Sequence, residues 1–358
     1  MDNALPSPRL PRYVPIVLWL TAVVFIGMVL GNLLWLCATD VLAFNRSEQA
    51  VSFTVTEEDD LSSIAAKLSQ HGLVNFPGLF KWFAKLTHAA DRIQPGLYKL
   101  NTLYDYPALV DALSSTQRLT VNVTIPEGAT MQQIFRLLEE KGVCSAEALQ
   151  QAAQEDWSSY SFLEGVPTGL EGYLFPDTYT FYLGDSPRRV IGKMLTTFEN
   201  RFPLNEETLA SLGQNLATIS GKCQGSKLSF HTIVTSASMI EKESAGSAES
   251  PTIASVIYNR LANSDVYPYL NIDAALIYAT GNPSITDEDK KIDSSYNTYR
   301  SPGLIPGPIC SPSLSSLQAA LNPDTTDFYF YALNPASKTH HFTKSYAEPL
   351  AFLESIEE

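Results

Sequence analysis

The chain has 358 residues, 45% of them hydrophobic and 17% charged, which is enough apolar material for more than one packed domain. Its net charge of -14 would repel a phosphate backbone, so nucleic acid is excluded as a partner. Its four cysteines, Cys37, Cys144, Cys223 and Cys310, show no CxxC spacing, so neither a structural zinc site nor a dense disulfide framework is expected.

Residues 1–13 carry Arg9 and Arg12, and residues 14–38 are apolar without a charge. At about 1.5 Å per residue this run crosses a hydrocarbon core of about 30 Å, and basic residues before it with Asp40 and the acidic run Glu57 to Asp60 after it put the N-terminus in the cytoplasm. The run is longer than a signal-peptide core and no A-x-A site follows it, so the reading is an uncleaved single-pass anchor with everything beyond it extracytoplasmic. Residues 39–50 read as a polar linker.

A repeat follows. Val55, Glu57, Leu61, Ile64, Leu68 and Gly72 match Ile125, Glu127, Met131, Ile134, Leu138 and Gly142 at a constant offset of seventy residues. Each copy reads as a strand, a turn, an amphipathic helix and a terminating glycine. With a second helix from Pro77 to Leu86 and a strand at Gly96 to Leu100, residues 51–120 form a βααβ pattern of LysM-like layout. Residues 121–358 then form a mixed α+β domain opening with the second β-helix repeat at 121–145, so the fold class is α+β behind one membrane helix. The aromatic run Leu170 to Tyr179 holds Glu171 and Asp177 as candidate cleft-lining carboxylates, although most such runs are core. A polar loop around Gly221 to Ser226 leads into the next helix.

That helix is the centre of the functional reading. Ile233, Ala237 and Ile240 recur at helical spacing and lead into Glu241, Lys242, Glu243 and Ser244. Glu243 follows Ile240 by three and Met239 by four residues and shares their face, whereas Glu241 points about 200° away from Glu243. A glutamate entering apolar surroundings can have its pKa raised from about 4.3 towards about 6, which suits a general acid. A helix-end glutamate on a solvated face is the ordinary alternative. Downstream, a helix ends at Tyr258 to Leu261, Asp273 begins another, and the Pro/Gly-rich Ser301 to Ile309 must be pinned by its surroundings. Phe328 to Leu333 and His340 to Phe342 read as the arms of a hairpin.

Three classes of function fit these residues. Cleavage of a glycosidic bond led by Glu243 is one; a non-catalytic, membrane-anchored wall-binding scaffold is another. A metal hydrolase using His340 and His341 is disfavoured because no HExxH spacing exists, and no G-x-S-x-G elbow supports a serine hydrolase. No metal or cofactor is expected.

The sequence resembles the YceG-like endolytic murein transglycosylases. The matching segments are I-P-E-G at Ile125 to Gly128, L-E-G-Y-L-F-P-D-T-Y at Leu170 to Tyr179, A-S-M-I-E-K-E-S at Ala237 to Ser244 and A-S-V-I-Y-N-R-L at Ala254 to Leu261. They continue with Y-N-T-Y at Tyr296 to Tyr299, G-L-I-P-G-P-I at Gly303 to Ile309 and H-F-T at His341 to Thr343. The resemblance implies a single-pass enzyme of the bacterial inner or plasma membrane that cuts the β-1,4 MurNAc–GlcNAc bond of nascent peptidoglycan strands, leaves 1,6-anhydro ends and works beside peptidoglycan synthases. It implies Glu243 as the catalytic acid and places Glu241, Ser244, Asn259, Asp273, Tyr296, Asn297 and Thr298 near the substrate. Two departures are the acidic turn Glu57 to Asp60 and Pro349 after Tyr346, Ala347 and Glu348, where no role is assigned.

Overall fold

The computed structural model describes residues 13–44, 46–114, 118–164, 166, 169–203 and 230–345. Arg9, Arg12, the Gly221 to Ser226 loop, Cys223 and the segment Tyr346 to Pro349 lie outside them. The chain separates into two compact units, Met1–Leu119 and Thr120–Glu358.

The first unit opens with helix α1, Tyr13–Val41. Among the described residues it is the one helix long and apolar enough to cross a membrane, over Ile16–Val41. It reaches further than the apolar run, and its last turn is fixed in place. Asp40 is fully buried. Its carboxylate accepts from the backbone N–H groups of Asn75 and Phe76, both at 2.8 Å, and from the Tyr106 hydroxyl at 2.6 Å. Arg46 pairs with it as well. The segment after the helix, read from sequence as a polar linker, is thus tied down at both Asp40 and Arg46.

Strand β1 (Ala50–Val55), helices α2 (Leu61–Gln70) and α3 (Pro77–Leu86), and strand β2 (Gly96–Asn101) follow, with β1 and β2 antiparallel from Ala50 opposite Asn101 to Val55 opposite Gly96. Helix α4, Tyr106–Ser114, closes the unit. The alternation along the strands sends Phe53, Val55, Tyr98 and Leu100 inward against Ile64, Leu68 and Phe80. The acidic turn has a local structural use: Asp60 caps α2 by accepting from the Ser63 N–H at 2.7 Å, and Asp59 accepts from the Thr56 N–H at 2.8 Å.

The second unit begins in the same order. Strand β3 (Thr120–Thr124), helices α5 (Met131–Glu140) and α6 (Ala146–Ala152), and strand β4 (Thr178–Tyr182) form a second strand–helix–helix–strand unit with β3 and β4 antiparallel. Helices α2 and α5 start seventy residues apart behind the capping residues Asp60 and Thr130. Both end on a left-handed glycine, Gly72 at φ 69° and Gly142 at φ 72°. In each, the next amide returns to the helix, Leu73 to Leu68 at 2.9 Å and Val143 to Leu138 at 3.0 Å.

The rest of this unit is mainly helical: α7 (Pro187–Arg201), α8 (Phe230–Glu243), α9 (Ser250–Ala262), α10 (Asp273–Thr280) and α11 (Leu314–Leu321), completed by the antiparallel hairpin of β5 (Phe330–Asn334) and β6 (Thr339–Thr343). Helix α8 is central, packing against α9, α10 and α11. Every residue from Ile233 to Ile240 is buried, so it has no solvent face over that stretch. Two of its polar members are satisfied locally or by the Pro/Gly-rich loop: Thr235 donates to His231 O at 2.7 Å, and Ser238 donates to Thr235 O and accepts from the Ile309 N–H at 3.0 Å.

The L-E-G-Y and G-L-I-P-G-P-I segments meet here. Gly172 sits at φ 86°, and a Cβ on it would lie 2.4 Å from Pro308 Cβ and 3.2 Å from Val234 Cγ1. Only glycine allows this approach. Replacing Gly172 with alanine is expected to cost about 2–4 kcal/mol, from left-handed strain plus a clash against a rigid proline, measured as a lowered midpoint in chemical denaturation. An unchanged midpoint would show that the loop yields freely.

Candidate active site

Helix α8 ends in two carboxylates turned toward different partners. Glu241 Oε2 accepts from the Ser313 N–H at 3.0 Å, the Ser313 hydroxyl at 2.6 Å and the Ser316 hydroxyl at 2.7 Å. A carboxylate at the first turn of α11 satisfies free amides and complements the helix dipole. Glu241 Oε2 is thus tied to the start of α11.

Glu243 faces the hairpin. The Tyr331 hydroxyl of β5 donates to its Oε2 at 2.9 Å, and the Ala274 N–H in the first turn of α10 lies near enough to favour its charged form. It lines a pocket of about 100 Å³ with Ile257, Arg260, Asn271, Ile272 and Tyr331. Burial pushes its carboxyl pKa up, and the negative Asp273 adds to this, while the Tyr331 hydroxyl, His340 and the Ala274 N–H pull it back. The outcome is a raised pKa. Tyr331 itself is pushed well above the phenol range by burial and by the neighbouring Glu243 charge, so it stays a donor.

The remaining sequence candidates divide into two groups. Asp273 is brought into the electrostatic neighbourhood of Glu243 and is held by the Tyr299 hydroxyl. Tyr296 lines a neighbouring cleft of about 940 Å³, with its ring 5.4 Å from that of Tyr278. Of the others, three bind backbone and Ser244 meets a side-chain hydroxyl. Asn259 donates from Nδ2 to Thr326 O at 3.0 Å and Phe328 O at 2.9 Å, fixing the approach to the Tyr331 strand. Asn297 is buried and donates to Lys290 O and Ile292 O. Thr298 Oγ1 receives the Ile272 N–H at 2.8 Å and donates to Ile272 O at 2.9 Å, which sets the start of α10 and so Asp273. Ser244 Oγ accepts from the Ser250 hydroxyl at 3.1 Å.

The larger cleft runs past Met131, Arg136, Glu171, Lys242, Ala274 and Tyr278. Ala274 borders this cleft, and its backbone amide favours the charged form of Glu243. Glu171 is buried with a pKa pushed up to about 7 by desolvation, against the Met131 N–H at 2.9 Å, the Tyr278 hydroxyl at 3.3 Å, the Gly172 N–H and the Lys242 charge. Asp177 instead pairs with Arg201 at 2.9 Å on an exposed surface.

Sequence reading missed the groups that surround Glu243 from elsewhere in the chain. Arg260 lines its pocket, donates to Tyr269 O at 2.9 Å and lies 5.4 Å from the Phe330 ring centre. His340 meets Tyr331 edge-on at 5.3 Å. Glu249 holds that histidine by its N–H at 2.9 Å and its Nδ1 at 2.8 Å; an ionised carboxylate only accepts, which assigns the hydrogen to Nδ1. The signal was present in the Y-N-R-L segment and the aromatic strand, but not the pairing of either with Glu243.

The two glutamates predict opposite stability effects. Removing Glu241 by alanine is expected to destabilise by about 1.5–3 kcal/mol, the scale of hydrogen bonds to a charged group. For Glu243, the folded pKa is raised, so the folded state holds the proton more tightly than the unfolded chain, and burial begins to cost stability as pH rises above the ordinary carboxyl value of 4.5. Glu243→Gln should therefore gain on the wild type in thermal melts as pH rises from 4.5 through the raised folded pKa. A difference that stays flat or reverses would contradict the burial of a carboxyl with a raised pKa.

The YceG-like family model matches residues 53–354. The chain is 30% identical over 318 residues to an endolytic murein transglycosylase of Bacillus subtilis (strain 168), covering 84% of this chain and 83% of that one. It is 31% identical over 320 residues to an endolytic murein transglycosylase of Streptococcus pneumoniae serotype 2 (strain D39 / NCTC 7466), covering 80% of this chain and about half, 55%, of that one. A crystal structure of a yceG-like protein from Listeria monocytogenes is similar over 86% of this chain and 100% of its own, with 26% identity and a TM-score of 0.52. By the extent of the family match and the identity across most of its length, the chain belongs to the YceG-like family.

Proposed function

We propose that this chain is an endolytic murein transglycosylase, held by α1 as a single-pass anchor with its N-terminus in the cytoplasm and with both units on the extracytoplasmic side. The observation that carries the chemistry is the setting of Glu243: a buried carboxyl with a raised pKa, held by the Tyr331 hydroxyl, lining a pocket of about 100 Å³.

In the proposed reaction the protonated Glu243 donates its proton to the glycosidic oxygen as the MurNAc C1–O bond breaks. The C6 hydroxyl of the same MurNAc attacks C1, and its proton passes to the carboxylate just formed. The bond made is C6–O–C1, the products are a 1,6-anhydro-MurNAc end and a free GlcNAc end, and no water enters. One residue serves as acid and then base, which suits a carboxyl whose pKa is raised above its ordinary value. The wide cleft past Lys242, Tyr278 and Tyr296 supplies aromatic faces and polar edges for neighbouring sugars. Nascent strands as substrate and peptidoglycan synthases as partners belong to this proposal through the family resemblance; the names of the relatives support murein as the substrate. The LysM-like assignment of the first module rests on its strand–helix–helix–strand order.

Glu243→Gln is expected to lower strand cleavage by about 10²–10⁴-fold, the usual contribution of general acid–base catalysis, in mass spectrometry of digested glycan. Anhydro ends from the wild type support transglycosylation, reducing ends would mean hydrolysis, and no cleavage would favour a wall-binding scaffold. Tyr331→Phe removes a donor to the carboxylate, so the activity profile should move to higher pH; a shift to lower pH would contradict the assigned hydrogen bond.

A further inference from the structure

We propose that α3 of the first unit is a membrane-surface helix, seated on the lipid headgroups of the leaflet from which α1 emerges. The inference rests on reading α1 as the anchor. Helix α1 presents its apolar side chains outward along its length, and its apolar stretch ends at Val41. One residue earlier, Asp40 binds the amides of Asn75 and Phe76, the two residues directly before α3. The start of α3 is therefore fixed at the point where the chain leaves the apolar layer.

The outward face of α3 is the wrong one for water. Trp82 and Leu86 are 61% and 62% exposed, although Phe80 and Ala84 on the opposite face already serve the core. Trp82 and Leu86 are one turn apart and adjacent on the surface. Leu42, Phe44 and Phe76, at the junction of α1 and α3, are exposed as well, which makes the apolar surface continuous in sequence with the anchor. Trp82 lies six residues beyond Phe76, about 9 Å along a helix, comparable with a headgroup layer of about 5–8 Å.

The charge pattern favours lipid over another occupant. Helix α3 reads Pro-Gly-Leu-Phe-Lys-Trp-Phe-Ala-Lys-Leu, with Lys81, Lys85 and no acid, in a chain whose net charge is -14. Tryptophan beside lysine on an amphipathic helix suits an interface in which the ring lies among the glycerol groups and the ammonium groups reach lipid phosphates. A glycan strand would also stack on Trp82. It would not account for the location at the anchor's exit or for the clustered leucines and phenylalanines.

The test uses the full chain in phosphatidylcholine–phosphatidylglycerol nanodiscs containing a lipid with a nitroxide near its headgroup. Subtracting the emission of Trp82→Phe from that of the wild type isolates Trp82. The expected result is loss of the Trp82 signal to the lipid nitroxide, protection from soluble acrylamide, and less loss in Lys81→Glu/Lys85→Glu. Quenching by acrylamide and not by lipid overturns the proposal, as does a Trp82 signal that responds to added murein oligosaccharide and not to lipid. The Trp82→Phe protein still holds Trp157, so a Trp82→Phe/Trp157→Phe protein, which keeps only Trp19 and Trp35 on α1, is the control. If the lipid nitroxide leaves those unquenched, the anchor reading fails; if it quenches them and spares Trp82, this inference alone fails.

Discussion

The structure depends on the complete burial of a helix that ends in carboxylates. From Ile233 to Ile240, α8 is enclosed by α9, α10, α11 and the Pro/Gly-rich loop, so the residues that follow emerge from an apolar interior with little freedom of direction. Two carboxylates at such an exit must each find compensation. Glu241 finds it fully, in three donors at the start of α11. Glu243 finds less: a hydroxyl, one amide and a nearby negative charge, with burial outweighing them. That shortfall is what leaves its pKa raised, as a general acid requires.

The polar residues around the site act mainly at one remove. Asn259 fixes the chain entering β5, Thr298 fixes the entry to α10, and Asn297 fixes the loop between them and the Pro/Gly-rich segment. The elements they fix are the ones that bring Tyr331 and the Ala274 amide to Glu243. Such bonds turn backbone into a rigid second layer, and a carboxylate keeps a defined geometry only when its donors cannot wander. Glycine serves the same end at Gly172, where the absence of a Cβ lets the L-E-G-Y turn sit against Pro308 and places Glu171 under the large cleft.

In the first unit an equivalent constraint holds the anchor. A buried carboxylate on the last turn of α1 is acceptable only with several donors, and Asp40 has the amides of Asn75 and Phe76, the Tyr106 hydroxyl and Arg46. The consequence is a stiff joint between α1 and the strand–helix–helix–strand module. Stiffness there gives the exposed Trp82 and Leu86 a fixed height relative to the apolar helix.

Much of this was legible in the residues. The apolar stretch before Asp40, the seventy-residue register that starts α2 and α5 at Leu61 and Met131, and the hairpin of Phe330–Asn334 and Thr339–Thr343 follow from local rules of hydropathy, periodicity and capping. Helical phase also separated Glu243 from Glu241, since angle along a helix is set by spacing alone. The partners were beyond reach. Tyr331 is 88 residues from Glu243, and Ser313 is 72 from Glu241, distances over which neither periodicity nor capping speaks. Phase showed that the two glutamates point apart; only the tertiary packing of α10, α11 and the hairpin decided which would be neutralised by donors and which left with a raised pKa.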